Sequence, residues 1–381
     1  MKRMGIFFMA LALVLAGLPL SVNAAPAEVA AKSALLMDAA TGTILYEQNA
    51  HEKLAPASVT KVMTMLLIME AIDEGRIGWD DMVTASETAA AKGGSQIYLK
   101  VGETMTVTDM VKSIAVSSAT DCACAMAEHI AGSEAGFVDQ MNARAAELGM
   151  NDTHFVNCTG LDDDPNAAEH LTCAYDIAVM SRELLVNHPD IKKFTTIWMD
   201  TVRNGTFGLS NTNKLVRFYS GATGLKTGFT SNAGYCLSAS AQREGMELIA
   251  VVMGSETSKD RFNACTSLLD YGFANYALVS PEVQNGEVGV KLGTTGSVKA
   301  VPAEDPQLLI DKSQRSSVIT DITLEETVTA PVSKGQRLGT MTVKSGEQIL
   351  LQIPMVAAEP VQKLTWGELF VKVLKQIAMA R

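Results

Sequence analysis

Several features that mark other classes of protein are scarce or missing in this 381-residue chain. Lysine and arginine number 31 against 42 acidic residues, and the resulting net charge of −11 argues against a nucleic-acid partner, which would require a basic face. The five histidines and six cysteines show no metal-ligand spacing, so the sequence predicts neither a metal nor another cofactor. Six cysteines are also too sparse for a small fold held together by disulfides.

Outside the N-terminus, no apolar run approaches the length needed to cross a bilayer. At the N-terminus a basic start is followed by apolar residues from about Gly5 to Leu20 and then by small residues. This order is typical of a secretory signal peptide, and we expect cleavage after Ala24. An uncleaved membrane anchor is the alternative, although the run is short for a spanning helix. The sequence therefore predicts an exported protein.

The cysteines leave two possibilities open. Cys122 and Cys124 are two residues apart on a predicted helix, so their side chains should point to different sides and should not pair. Cys158 and Cys173 flank one loop, and a disulfide between them would stabilise the fold by about 3 kcal/mol. Small buried thiols are the alternative for all six cysteines.

The order of predicted elements indicates an α+β fold. A hairpin around Gly42 comes first, then helices, then three strands and a closing helix. The first predicted helix carries Ser58. The later predicted helices cover residues 106–117, 121–130, 137–148, 174–186 and 259–276, and the predicted strands cover 224–229, 235–242 and 247–253. Strands at both chain ends with helices between them predict one antiparallel sheet, assembled from distant segments and covered by helices.

Composition changes near Ser280, where short runs of alternating polar and apolar residues begin and indicate a small β-rich domain. We place the first domain at residues 25–278, the β-domain at 279–358, and a linker with a terminal helix at 359–381. One stripe of that helix carries its apolar residues, which are Trp366, Leu369, Phe370, Val373, Leu374 and Ile377. Nearby lysines make the pattern typical of a helix lying in a membrane interface, and docking on a domain is the alternative.

The most informative motif is Ser58-Val59-Thr60-Lys61, directly ahead of a long apolar helix. Residues at i and i+3 share a helix face, so the Ser58 hydroxyl and the Lys61 amine should point into one cleft. A buried neutral lysine can take the proton of a serine and make it a nucleophile. Such a spacing arises by chance about once in a chain of this length, so it needs further support.

That support comes from Lys226-Thr227-Gly228 and from Ser118-Ala119-Thr120. Together with Ser58 and Lys61, these elements resemble the active-serine set of the penicillin-binding proteins and serine β-lactamases. The flanking sequences around Ser58 and Gly228, and the loop Gly160-Leu161-Asp162, resemble the low-molecular-mass D-alanyl-D-alanine carboxypeptidases. The resemblance covers the chain after its signal peptide, although in the C-terminal part it is only compositional.

The resemblance implies a β-lactamase/transpeptidase-like fold and a role for each residue. Ser58 would be acylated by the D-Ala-D-Ala end of a peptidoglycan stem peptide, Lys61 would accept its proton, and Ser118 would relay that proton. We expect the charge of Lys226 to help keep Lys61 neutral. Substrate binding would fall to Thr120, Lys226, Thr227, Gly228, Phe229 and Arg261.

Two further expectations concern the groups around the scissile bond. Lys226, Thr227 and Arg261 would hold the terminal carboxylate of the substrate. The backbone N–H groups of Ser58 and Phe229 would hold the oxyanion. β-Lactam antibiotics would be inhibitors, and the enzyme would act at the outer face of the bacterial cell membrane, attached through its C-terminal helix.

Thr120 departs from the family pattern, which has asparagine at this position. A threonine hydroxyl reaches less far than an amide, and losing one hydrogen bond would cost about 1–3 kcal/mol of transition-state stabilisation. A catalytically weak penicillin-binding or wall-sensing module is therefore the alternative function. A β-lactamase is a third possibility, with Glu169 as its candidate base.

Overall fold

The computed structural model describes residues 29–163, 165–281 and 285–379. The predicted signal peptide, residues 1–24, lies outside the described residues. The helices are α1 (Lys61–Asp73), α2 (Glu87–Ala90), α3 (Val107–Ser117), α4 (Thr120–Ala131), α5 (Glu134–Glu147), α6 (Ala174–Asn187), α7 (Lys192–Thr195), α8 (Leu215–Phe218), α9 (Ser258–Asn275) and α10 (Trp366–Met379).

The strands form two principal sheets and three small two-stranded ones. They are β1 (Ser33–Asp38), β2 (Ile44–Gln48), β3 (Met82–Thr84), β4 (Thr104–Thr106), β5 (Met199–Val202), β6 (Phe207–Ser210), β7 (Ala222–Thr230), β8 (Gly234–Arg243), β9 (Met246–Ser255), β10 (Tyr276–Val279), β11 (Gly286–Lys291), β12 (Ser297–Pro302), β13 (Leu308–Asp311), β14 (Val318–Leu324), β15 (Thr327–Thr329), β16 (Arg337–Ser345) and β17 (Gln348–Ala357).

The first principal sheet has the strand order β2-β1-β9-β8-β7, and each neighbouring pair is antiparallel. Strands from the two ends of this part of the chain therefore meet in one sheet, as the sequence predicts. Within the sheet β7 is an edge strand, so its outer side is free to face the active site.

Alternation along the strands divides the core between the two faces of this sheet. Leu35 and Met37 of β1 pack on one side with α1, α3, α4 and α6. Leu36 packs on the other side with Leu268 and Leu269 of α9. The helix α1 is buried all round because it lies inside the helical layer, which explains its unbroken apolar sequence.

The predicted helices agree with α3, α4, α5, α6 and α9 to within about three residues. Ser58 is the exception. It lies on a 3₁₀ turn, Ala57–Thr60, ahead of α1 rather than in an α-helix. The expected pairing survives because side chains at i and i+3 eclipse in a 3₁₀ turn. The short strand pairs β3–β4 and β5–β6 are not predicted, since three or four residues give too little alternation to detect.

All six cysteines are buried free thiols, so the Cys158–Cys173 disulfide is not formed. The Cys158 thiol donates to the carboxylate of Glu134 at 3.2 Å. Cys173 instead caps α6, where its sulfur accepts a hydrogen bond from the Asp176 N–H at 3.4 Å. The two sulfurs therefore have separate partners.

The second principal sheet has the strand order β14-β16-β17-β12-β11-β15 and carries its own apolar core. Its strands follow one another without a long helix, which bears out the predicted β-rich C-terminal region. Beyond it, α10 exposes Trp366 (88% exposed), Phe370 (65%) and Leu374 (50%), so this stripe is not docked on the described part of the chain. Nowhere in the described residues is a helix both long and apolar enough to cross a bilayer.

Candidate active site

The predicted nucleophile and base are in direct contact. Lys61 Nζ lies 3.0 Å from Ser58 Oγ and also donates to the carbonyl of Thr159 at 3.0 Å. Lys61 is fully buried, whereas Ser58 is half-buried and so remains open to a substrate. The arrangement aims the amine at the serine hydroxyl and holds it there from the opposite side.

Burial makes this amine a feasible base. Desolvation lowers the pKa of Lys61 from 10.5 to about 8, although the nearby Cys158 and Asp121 act in the opposite direction. Roughly a tenth of the molecules then carry neutral Lys61 at pH 7, and this is the form that can accept the Ser58 proton.

The expected influence of Lys226 needs a correction. Burial, rather than the charge of Lys226, is the cause of the lowered Lys61 pKa. The pKa that these neighbouring charges lower is that of Lys226. Burial is the largest cause, followed by the charges of Lys61 and Arg261, and together they hold the Lys226 pKa well below its usual range. Its Nζ donates to the Thr227 carbonyl at 2.8 Å, and Lys226 is 1% exposed.

Strand β7 packs directly against the turn that carries Ser58, and Gly228 makes this possible. A Cβ at Gly228 would lie 2.6 Å from the Pro56 carbonyl oxygen and 3.1 Å from the Ser58 nitrogen. The sequence predicted a close approach by substrate at this glycine, but the closest neighbour is the nucleophile turn itself. Phe229 follows at the strand edge, half-exposed and stacked on Tyr235 at 4.3 Å.

The junction between α3 and α4 forms another wall. Ser118 ends α3 in the left-handed region, with φ of 61°, and is almost fully buried. Thr120 begins α4, and its N–H donates to the Ser95 carbonyl at 2.7 Å. Its hydroxyl is buried and has no hydrogen-bond partner among the described residues, which fits a position where the family pattern has a longer amide.

Thr212, which the sequence did not single out, connects this wall to β7. The Thr227 hydroxyl donates to Thr212 Oγ1 at 2.7 Å, and the Thr212 N–H donates to the Val116 carbonyl at 3.1 Å. Val116 lies two residues before Ser118. The side chain of Thr227 is therefore fixed in orientation at the edge of the site.

Arg261 lies in the first turn of α9 and braces β7 from behind. Its guanidinium donates to the carbonyls of Gly228 at 2.9 Å and Cys236 at 3.4 Å, and it stands over the Tyr235 ring at 5.2 Å. It holds the strand that carries Lys226 and Thr227. Direct binding of a substrate carboxylate by Arg261 stays a prediction.

A buried histidine supports the nucleophile turn from the opposite side to β7. His170 Nδ1 accepts a hydrogen bond from the Val156 N–H at 3.1 Å, so the neutral ring carries its proton on Nε2. Nε2 lies 2.8 Å from Thr60 Oγ1, which in turn donates to the Ala57 carbonyl at 2.8 Å. No sequence signal identified this network, because Thr60 and His170 are 110 positions apart.

Glu169, the candidate base of a β-lactamase, lies exposed on the short turn Ala167–Glu169. A base that activates water for deacylation must contact the reacting water inside the site. The exposed carboxylate gives no support to that third possibility.

Comparison with protein families gives two matches. Residues 20–257 match the family described as D-alanyl-D-alanine carboxypeptidase, and residues 273–363 match the family described as penicillin-binding protein 5, C-terminal domain.

Individual relatives agree with these matches. The chain is 44% identical over 340 residues to D-alanyl-D-alanine carboxypeptidase DacF of Bacillus subtilis, covering 87% of this chain and 86% of that protein. It is 33% identical to DacC of Escherichia coli, covering 88% and 85%. A crystal structure of penicillin-binding protein 5 from Haemophilus influenzae aligns with a TM-score of 0.76 and 31% identity, covering 89% of this chain and 99% of that one.

Proposed function

The chain belongs to the D-alanyl-D-alanine carboxypeptidase family and is a serine-type carboxypeptidase, and we propose that Ser58 and Lys61 perform its chemistry. The observation that carries this assignment is the 3.0 Å contact between Ser58 Oγ and a buried Lys61 amine. The substrate is the D-Ala-D-Ala end of a peptidoglycan stem peptide.

In the acylation step, Ser58 Oγ attacks the carbonyl carbon of the penultimate D-alanine while neutral Lys61 accepts the hydroxyl proton. The developing oxyanion is held by the backbone N–H groups of Ser58 and Phe229, each contributing roughly 3–4 kcal/mol. The bond to the last D-alanine then breaks, and Ser118 passes a proton from Lys61 to the departing amine.

Deacylation reverses the proton movement. Water attacks the ester on Ser58, Lys61 accepts a proton from it, and the Ser58 oxygen recovers a proton as the shortened peptide leaves with a new carboxylate. Lys61 returns to its neutral form, so the cycle requires no further cofactor.

A substrate with a free carboxyl end is selected because its anion favours the protonated form of Lys226, whose pKa is otherwise lowered by burial. Lys226 and Thr227 bind the terminal carboxylate, with Arg261 either contacting it or acting through β7. Binding an anion beside Lys226 also offsets the cost of burying its positive charge. β-Lactam antibiotics enter the same site, and solved relatives include penicillin-binding protein D2 of Listeria monocytogenes in its ampicillin-bound form, aligned with a TM-score of 0.59 over 64% of this chain.

Release of D-alanine from a peptide ending in D-Ala-D-Ala tests this proposal. The wild-type chain should release it, and Ser58→Ala should not. Mass spectrometry after penicillin treatment should show one covalent adduct, on Ser58. Equal release by Ser58→Ala, or an adduct elsewhere, would overturn the assignment.

The unpartnered hydroxyl of Thr120 favours a second candidate, a weakly catalytic penicillin-binding module. Thr120→Asn distinguishes the two, because a restored amide should raise kcat by about tenfold if catalysis is impaired for lack of that bond. Thr120→Val is the matched control. It removes a hydroxyl without a partner and should leave the thermal midpoint unchanged. A kcat unaffected by Thr120→Asn would weaken this candidate.

We place the enzyme outside the cell, with residues 1–24 removed as a signal peptide and the C-terminal helix on the membrane surface. The domain limits 25–278, 279–358 and 359–381 belong to the same proposal. Its support is the sequence pattern at each end and the exposed apolar stripe of α10.

A further inference from the structure

An open groove of about 550 Å³ lies at the side of the molecule where residues 95–100 pass the active site. Its lining includes Tyr98, Lys100, Val101, Glu103, Arg203 and Phe207. None of these residues takes part in the chemistry described above.

Backbone contacts tie this groove to the catalytic wall. The Ser95 carbonyl accepts the Thr120 N–H at 2.7 Å. The buried carboxylate of Asp121, the residue after Thr120, accepts the N–H groups of Ile97 at 3.1 Å and Leu99 at 3.0 Å. The Cα atoms of Ser95 and Tyr98 are therefore at most about 10 Å apart, because three extended residues span no more than that. A substrate of a few residues reaches from the site to the groove.

Tyr98 adopts a conformation that aromatic residues rarely take. Its φ of 60° lies in the left-handed region, yet its side chain is 70% exposed. A strained backbone that gains no burial in return is characteristic of binding sites, where the strain presents a side chain to a ligand. The neighbouring Ile97 and Leu99 are buried, so the strain turns Tyr98 alone outward.

The rest of the groove is held rigidly in place. Arg203 forms a two-contact ion pair with Glu103, at 2.6 and 3.2 Å, and also donates to the Ile97 carbonyl at 2.7 Å. Its guanidinium covers the Phe207 ring at 5.2 Å, and that ring meets the edge of Tyr98 at 6.5 Å. Two aromatic rings thus meet edge to face along the groove.

The groove also presents a cation. Lys100 is exposed, and it takes part in none of the ion pairs found among the described residues. With Arg203 balanced by Glu103, the local charge is positive on a chain whose net charge is −11. A pair of aromatic rings beside an exposed ammonium suits a peptide backbone with a carboxylate on one side.

We propose that this groove is a subsite for the part of the substrate upstream of the two D-alanines, and that it prefers an upstream peptide carrying a carboxylate. The inference rests on the proposed carboxypeptidase function. Tyr98 packs against the upstream peptide, and Lys100 pairs with its carboxylate. Longer stem peptides are then better substrates than short ones.

The test compares kcat/KM for three probes: acetyl-L-Lys-D-Ala-D-Ala, the pentapeptide L-Ala-γ-D-Glu-L-Lys-D-Ala-D-Ala, and the same pentapeptide with its glutamate carboxylate amidated. The wild-type chain should favour the acidic pentapeptide over the short probe by about tenfold. Tyr98→Ala should remove most of that preference, and Tyr98→Phe should retain it. Lys100→Ala should abolish the difference between the acid and the amide.

Phe218→Ala and Lys193→Ala are matched controls, an exposed aromatic and an exposed lysine outside the groove, and both should keep the full preference. An equal loss on all three probes in Tyr98→Ala would overturn the inference. So would a Tyr98 effect seen only with a fourth probe, a muramyl pentapeptide, which would make the groove a glycan site. Failure of the wild-type chain to release D-alanine from any of these probes would instead overturn the proposed function itself.

Discussion

In the proposed mechanism, burial of a single amine decides whether Ser58 becomes a nucleophile. An exposed lysine at this position would be protonated near neutral pH and could not accept a proton. In the structure Lys61 is enclosed by α1, by the 157–160 segment and by the turn that carries Ser58. The chemistry of the site therefore depends on the exclusion of water from one side chain.

The pH dependence of activity should follow Lys61. Because its pKa is about 8, kcat/KM should rise with pH between 6 and 8 and level off above. Lys61→Met should abolish D-alanine release. A profile that stays flat between pH 6 and 9 would exclude Lys61 as the base.

The stability of the fold should rise with pH as well. The folded pKa of about 8 lies below the value of 10.5 expected for the unfolded chain, so the cost of burying the charge is fully present below pH 8. This cost of keeping Lys61 charged inside the fold is on the order of 3 kcal/mol. It disappears as the pH rises from 8 towards 10.5, because Lys61 is then neutral in the folded chain. Urea unfolding at pH 7 and pH 9 measures the rise, which should be smaller in Lys61→Met.

Gly228→Ala tests the close approach between β7 and the nucleophile turn. The new methyl group would lie 2.6 Å from the Pro56 carbonyl oxygen, so the strand or the turn must move. We expect a fall in kcat/KM of more than 100-fold and a loss of about 1–3 kcal/mol in the free energy of unfolding.

Gly208→Ala is the matched control, since Gly208 also lies in a strand and has open space where a Cβ would be. It should change neither quantity. An active Gly228→Ala enzyme would mean that the packing of β7 on the turn does not position Ser58.

At the scale of secondary structure, the site is formed at two helix ends and along one sheet edge. The turn before α1 carries Ser58, the junction of α3 and α4 carries Ser118, and the middle of the edge strand β7 carries Lys226. Helix ends and edge strands have backbone N–H and C=O groups not used within a helix or sheet, which leaves them free to bind substrate. This explains why the three motifs are short and far apart in sequence.

The first turn of α9 should be sensitive to its cap. The Thr257 hydroxyl accepts the Asp260 N–H, and the Asp260 carboxylate accepts the Thr257 N–H in return. Thr257→Ala should lower the free energy of unfolding by about 1 kcal/mol. It should also raise KM, because Arg261 lies in that turn and braces β7.

Ser133→Ala provides the comparison, since Ser133 caps α5 through the Gly136 N–H and α5 carries no residue of the site. It should cost similar stability with no change in KM. Equal effects of the two substitutions on KM would show that the position of Arg261 does not matter.

At the scale of the whole molecule, the terminal helix should act independently of catalysis. Deleting residues 366–381 should abolish binding to vesicles containing anionic lipid, since Trp366, Phe370 and Leu374 form an exposed apolar stripe. Hydrolysis of a soluble peptide should be unchanged. Trp366→Ser with Phe370→Ser should have the same effect. Undiminished vesicle binding by the truncated chain would contradict the membrane role of this helix.

Much of the fold was predictable because its longer elements have strong patterns. Helices α3 to α6 and strands β7 to β9 have clear periodicity and capping residues such as Thr106 and Gly132. The short pairs β3–β4 and β5–β6 were not predictable, because their residues gain stability from tertiary contacts rather than from local pattern. The 3₁₀ turn at Ser58 was also missed, since its sequence continues smoothly into α1.

The amino-acid sequence alone predicted which groups are catalytic, because Ser58, Lys61, Ser118 and Lys226 stand in short motifs that indicate their chemistry without a structure. Only the tertiary structure decided how those groups behave. The pKa of Lys61 depends on burial by Thr159 and its neighbours, the Ser58 turn depends on Gly228 and His170, and the role of Arg261 depends on the carbonyl it reaches. Burial and hydrogen-bond geometry are properties of residues brought together from distant parts of the chain, so no local pattern encodes them.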